Sequence, residues 1–105
     1  MNSTTPAEGN GNGGSINIHD GHGFHKVPKR FYDDVRQQIL NIIPALLPAC
    51  DYTVEMLCGP DFWGPLSDHQ KQIAGKAVAH MVRRHELPLR RVGCPHKSPA
   101  RYALY

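Results

Sequence analysis

The side chains best suited to chemistry lie in residues 66–105, in the runs S-D-H-Q-K-Q-I-A-G-K-A-V-A-H-M-V-R-R-H and E-L-P-L-R-R-V-G-C-P-H-K-S-P-A-R-Y-A-L-Y. Gln70, Lys71, Gln72, Gly75, Lys76 and Arg83 combine long hydrogen-bonding groups with a glycine that lets another surface come close. Arg90, Arg91, His96, Lys97 and Arg101 add further cations downstream. Long cations neutralise phosphates and release counterions, whereas Gln and Arg can form paired hydrogen bonds to the edges of bases. The plain alternative for both sets is a solvated polar surface.

Thiols and imidazoles form a second set. His69, His80, His85, Cys94 and His96, with Cys58, are of the types that hold zinc. No C-x2-C or H-x3-H pair supports such a site, because histidines 69, 80 and 85 are 11 and 5 residues apart. His19, His22 and His25 in H-D-G-H-G-F-H could present imidazoles to a metal, but the intervening glycines impose no geometry, and the stretch reads as a linker. No metal or cofactor is expected. Nor is catalysis: there is no nucleophile elbow, H-E-x-x-H, phosphate loop or dinucleotide fingerprint. A dyad of Cys94 with His80 or His85 would lack an orienting group and an oxyanion hole.

The elements that position these residues can be read from periodicity. Ile73, Ala74, Ala77, Val78, Met81 and Val82 recur at three-and-four spacing, which predicts one amphipathic helix over residues 67–85. Ser67 with Gln70 three residues on is a capping box, and Asp68 suits the positive end of the helix dipole. Lys71, Gln72, Gly75, Lys76, Ala79 and Arg83 fall opposite the apolar stripe. Leu87-Pro88-Leu89 breaks the helical period, Leu89 to Val92 suits an extended segment, and Gly93 to Pro99 suits a loop. Ala100, Tyr102 and Leu104 alternating with Arg101, Ala103 and Tyr105 predict a half-buried strand.

This order of helix, strand, basic loop and strand resembles the C-terminal part of a winged helix-turn-helix domain over about residues 51–105. In that family a recognition helix precedes a two-stranded wing. The resemblance implies an α+β, mostly helical winged-helix domain that binds double-stranded DNA. Gln70, Lys71, Gln72, Gly75, Lys76 and Arg83 would then lie in the major groove, and Arg90, Arg91, His96, Lys97 and Arg101 around the wing. It equally allows a non-enzymatic protein–protein interaction module, of a larger assembly or of mobile-element origin. One departure stands out: Gly59-Pro60-Asp61-Phe62-Trp63-Gly64-Pro65-Leu66 is longer than the usual turn between the paired helices. Phe62 and Trp63 are expected to anchor it on the core.

The rest of the chain frames this half. Residues 66–105 hold eight Lys or Arg against two Asp or Glu, and residues 1–65 hold four against seven, so the total of +3 joins a basic half to an acidic one. With 105 residues, a single domain is expected. Residues 1–23, rich in Gly, Asn and Ser, are expected to form a disordered tail before a domain over 24–105, so that removing Met1 to Gly21 would leave the unfolding midpoint unchanged. A first helix begins near Pro28 and carries Phe31, Val35, Ile39, Ile42 and Ile43. The apolar surplus through Leu47 is equally suited to the monomer core and to a homodimer through residues 29–47. Asp51-Tyr52-Thr53 supplies a short strand, or Thr53 caps a short helix through Cys58. Cys50, Cys58 and Cys94, odd in number and widely spaced, argue for free thiols. Without an apolar run of membrane length or a signal-peptide plan, a cytoplasmic protein with no membrane partner is expected.

Overall fold

The structure is a computed structural model that describes residues 14–19, 24–93 and 99–105. The described residues form a small α+β domain of four α-helices and two small antiparallel sheets. Strands β1 (Ser15–His19) and β2 (Phe24–Pro28) lead into α1 (Lys29–Ile42), which ends in a 3-10 turn (Ile43–Ala45). Then come β3 (Tyr52–Thr53), α2 (Val54–Cys58), α3 (Pro60–Trp63), α4 (Asp68–Arg83), β4 (Leu89–Val92) and β5 (Arg101–Leu104). Among the described residues no helix is long and apolar enough to cross a membrane.

Helix α4 is the centre of the fold, and its start is set locally. The Ser67 hydroxyl accepts from the Gln70 backbone N–H at 3.1 Å, and the Gln70 side chain accepts from the Ser67 N–H at 2.9 Å, so both halves of the capping box are made. Ile73, Ala74, Ala77, Val78 and Met81 are buried, as the period requires. The helix stops two residues short of its expected end. His85 adopts φ 59°, and the N–H groups of His85 and Glu86 reach back to the carbonyls of Val82 and Met81, at 3.1 and 2.8 Å. This is a Schellman turn with histidine at the left-handed position usually held by glycine. It reverses the chain and delivers Glu86 beneath α1.

Helix α1 follows Pro28, whose missing N–H has no intrahelical partner to lose. It buries Tyr32, Val35 and Ile39 against the core. Phe31, expected in the buried stripe, lies half-buried at its edge. The expected boundary of the tail at residue 23 needs correction. Ser15–His19 is a strand, paired with β2 in the register Ile16↔Val27 and Ile18↔His25, and Ile18 and Val27 are both 0% exposed. The reason is a period-two alternation in S-I-N-I-H that presents Ile16 and Ile18 on one face. A two-stranded hairpin is marginal alone; this one packs on α1 and α4, which supply the missing apolar surface. Residues 1–13 lie outside the described residues.

The second sheet has three strands rather than two. Its order is β3-β5-β4, with Tyr52↔Tyr102 joining the short strand to β5 and Arg91↔Tyr102 joining β4 on the other side. Both roles foreseen for the Asp51–Thr53 stretch are filled: Tyr52–Thr53 is a strand, and the Thr53 hydroxyl accepts from the Met56 N–H at 3.3 Å. The long link is itself a helical turn, α3. Phe62 stacks on Phe31 with ring centroids 6.4 Å apart, and both Phe62 and Trp63 pack against the core. Gly59 begins this turn at φ 84°, ψ 156°, a conformation almost confined to glycine. Gly64 ends it, where an added Cβ would stand 2.9 Å from the Pro60 carbonyl oxygen.

Candidate functional site

The face of α4 opposite its buried stripe borders an open groove of about 540 Å³. Lys71, Gln72, Gly75, Lys76 and Ala79 form its α4 side. The sheet side is Arg91 of β4 with Ala100 and Tyr102, and Trp63 of α3 with Val54 and Glu55 of α2 add to the lining. Helical geometry explains the α4 side: residues 71, 75, 79 and 83 follow one another at i+4 and make a ridge with cations at its ends and small residues between. Over Gly75 there is open space where a Cβ would stand. The ridge from Lys71 to Arg83 spans roughly 18 Å at ~1.5 Å per residue.

Aromatic rings hold two of the groove's cations. The Lys71 ammonium lies 5.9 Å from the centre of the Trp63 ring, and the Arg91 guanidinium 6.0 Å from that of Tyr102. Tyr102 is 2% exposed; burial raises its hydroxyl pKa, against the opposing effect of Arg91 and Arg83. Three cations, Lys71, Lys76 and Arg91, therefore line the groove with one carboxylate, Glu55, and with the apolar groups of Val54, Trp63, Ala79 and Tyr102.

Of the residues singled out in the sequence, the groove brings together Lys71, Gln72, Gly75 and Lys76 from the helix and Arg91 from the sheet. It does not include the others. The Gln70 side-chain oxygen is taken up by the capping box. Arg83 is exposed one turn beyond Ala79, and Arg90 is exposed at the next register position from Arg91, on the opposite face of β4. Arg101 forms an ion pair with Asp51 at 3.0 Å. His96 and Lys97 lie outside the described residues, as do Cys94 and His22. Trp63, Tyr102 and Val54 were not foreseen as groove residues, because only the sheet order and the α3 turn bring them to α4. Two of the histidines have separate neighbours: His80 packs edge-on against Tyr32 at 6.1 Å, and His85 lies 6.4 Å from Tyr105. Among the described residues, no three His, Cys, Asp or Glu side chains are grouped to hold a metal ion.

A polar cluster on α1 was also missed. Glu86 accepts from the Tyr32 hydroxyl at 2.9 Å and from Arg36 at 3.1 Å on one oxygen, and from Arg84 at 3.1 Å on the other. Arg36 also reaches Asp33 at 3.3 Å, and Asp33 pairs with Lys29 at 2.7 Å. Burial works to raise the Glu86 pKa, but the hydrogen bonds from Tyr32, Arg36 and Arg84 outweigh it and hold the carboxyl below its ordinary value. Burial, followed by the Glu86 contact, raises that of Tyr32. His80 is lowered, by burial first and then by Arg84 and Arg83. Every member of the cluster has a partner within the fold. Its role is to tie the end of α4 to α1 and so fix the orientation of the α4 face.

The chain matches no protein-family model, and no curated protein or solved structure is significantly similar to it.

Proposed function

We propose that this is a winged-helix DNA-binding protein, a small transcriptional regulator, that sets the first half of α4 in the major groove and uses the segment between β4 and β5 as a wing. The observation that carries the reading is the convergence of Lys71, Gln72, Gly75 and Lys76 of α4 with Arg91 of β4 on one concave surface. Cations on a single surface neutralise neighbouring phosphates, and Gln72 beside a glycine lets the helix approach base edges closely. The order α1, β3, α2, α4, β4, β5 with the sheet order β3-β5-β4 supports the same architecture, with α3 as an insertion in the helix-to-helix turn. Leu40 and Leu47, 39% and 61% exposed in and after α1, favour a homodimer through residues 29–47 that would pair two half-sites. One observation favours the second reading, a protein-interaction module: the apolar groups that line the groove, with Glu55 among them, also suit a peptide side chain.

Gel-shift titration against random duplex at low salt tests the DNA reading. Binding that weakens steeply as salt rises is expected. No binding at tens of micromolar protein would leave the interaction module as the better account.

A further inference from the structure

A duplex read by an α4 face leaves the interior of the groove unexplained, since major-groove recognition uses side chains that project from a helix, not a recess lined by apolar groups. The volume of about 540 Å³ lies in the range of sites that enclose one medium-sized organic group. That volume is roomy enough for one base with its sugar. Val54, Ala79 and Tyr102 give the lining apolar surface, while Lys71, Lys76 and Arg91 supply positive charge. Such a recess suits a group that is apolar on its faces and anionic at its edge.

We propose that the groove between α4 and the β4–β5 strands binds an unpaired nucleotide of single-stranded DNA, with the Trp63 indole as stacking platform and Lys71, Lys76 and Arg91 meeting the flanking phosphates. The inference rests on the DNA-binding reading and extends it from the duplex to the single strand. Trp63 is held for this role. Phe62, its neighbour in the α3 turn, is stacked on Phe31 of α1, and the turn is closed by the Trp63 N–H donating to the Gly59 carbonyl at 2.9 Å. The Lys71 ammonium lies over the ring, 5.9 Å from its centre. A base stacking there contributes more than a cation near the surface does. Lys71, half-buried on a flexible stem, would therefore leave the ring to the base and move to the adjacent phosphate. Positive charge along a groove combined with an aromatic platform is the general means of gripping single strands without a sequence code.

Trp63 is the single tryptophan of the chain, so its emission reports directly on the platform. The full chain would be titrated at low salt with a dye-labelled twelve-residue oligo-dT, with the same strand paired to oligo-dA, and with a twelve-residue poly-Glu peptide. The single strand should change the Trp63 emission severalfold more than the duplex does. Trp63→Leu should weaken single-strand binding about tenfold by anisotropy, with Trp63→Phe recovering most of it. Circular dichroism of the variants would confirm folding, and the wild-type emission change stands by itself if Trp63→Leu does not fold. Duplex binding with no emission change on adding the single strand would overturn the stacking site and leave the DNA reading intact. Binding of neither nucleic acid would overturn both. An equal emission change with poly-Glu would identify the groove as a peptide site instead.

Discussion

Replacing Ile18 by Ala tests whether the first strand belongs to the domain. Ile18 is 0% exposed, so the full transfer term applies: three carbon groups lost at ~0.8 kcal/mol each, or about 2.4 kcal/mol. A residual cavity adds to this at ~24 cal/mol per Å³. The β1–β2 hairpin forms a sheet of its own and can settle inward, which keeps the cavity contribution to about 1 kcal/mol. The expected loss is about 3 kcal/mol, a substantial part of the ~5–15 kcal/mol that stabilises a typical domain. At ~4–8 °C per kcal/mol for a domain of this size, the melting temperature should fall by roughly 12–24 °C. Asn17→Ala, at an exposed position of the same strand, is the control and should stay within ~0.5 kcal/mol. Urea unfolding followed by circular dichroism measures both. If Ile18→Ala behaved like Asn17→Ala, the hairpin would not be docked and the tail would extend to residue 23 after all. By the same reasoning, removal of residues 1–21 should be costly rather than neutral.

Two further outcomes follow from the charged cluster and the thiols. The Glu86 carboxyl has a folded pKa below its unfolded value, so its contribution to stability is complete above about pH 4.5 and is lost as pH falls through the lower folded value. Glu86→Gln should therefore flatten the stability profile on the acid side of about pH 4.5, and cost about 1–2 kcal/mol at neutral pH through its weakened bonds to the arginines; an unchanged acid limb in urea titrations would show that Glu86 is not ionically held. Burial pushes the Cys58 thiol up to about 12 whereas Cys50 is exposed, so iodoacetamide at pH 8 should label Cys50 and spare Cys58 until the protein unfolds. Equal labelling rates by mass spectrometry would place Cys58 outside the core.

What could be read in the sequence was local. The α4 helix has a stripe of Ile73, Ala77, Val78 and Met81 and a start signal at Ser67–Gln70, all within two or three turns, so period and capping chemistry sufficed. The position of the last strand was legible too, although Ala103, expected on its open face, is buried beside Tyr102, and Thr53 was legible from its cap geometry. Features that depend on distant partners were not. Ile16 and Ile18 alternate over only five residues inside a glycine-rich stretch, and their value comes from α1 and α4, which no local pattern reveals. Glu86 meets Tyr32 across 54 positions, brought there by a Schellman turn whose left-handed residue is His85 rather than glycine. The site was legible by half for the same reason. Helical spacing put Lys71, Gln72, Gly75 and Lys76 on one face. That Arg91 would join them and that Arg101 would be paired with Asp51 depend on sheet order, and that Trp63 would line the groove depends on the α3 turn.

The most direct measurement of DNA binding through α4 is the salt dependence of random-duplex affinity in the wild type and in Lys71→Ala, Lys76→Ala and Arg101→Ala. Each phosphate contact contributes about −0.9 to the slope of log K against log salt. The expected result is a slope shallower by about one unit for Lys71→Ala and for Lys76→Ala, each with weaker binding at low salt, and a slope like the wild type's for Arg101→Ala. Equal slopes for all four proteins, or a change confined to Arg101→Ala, would contradict a duplex held against α4.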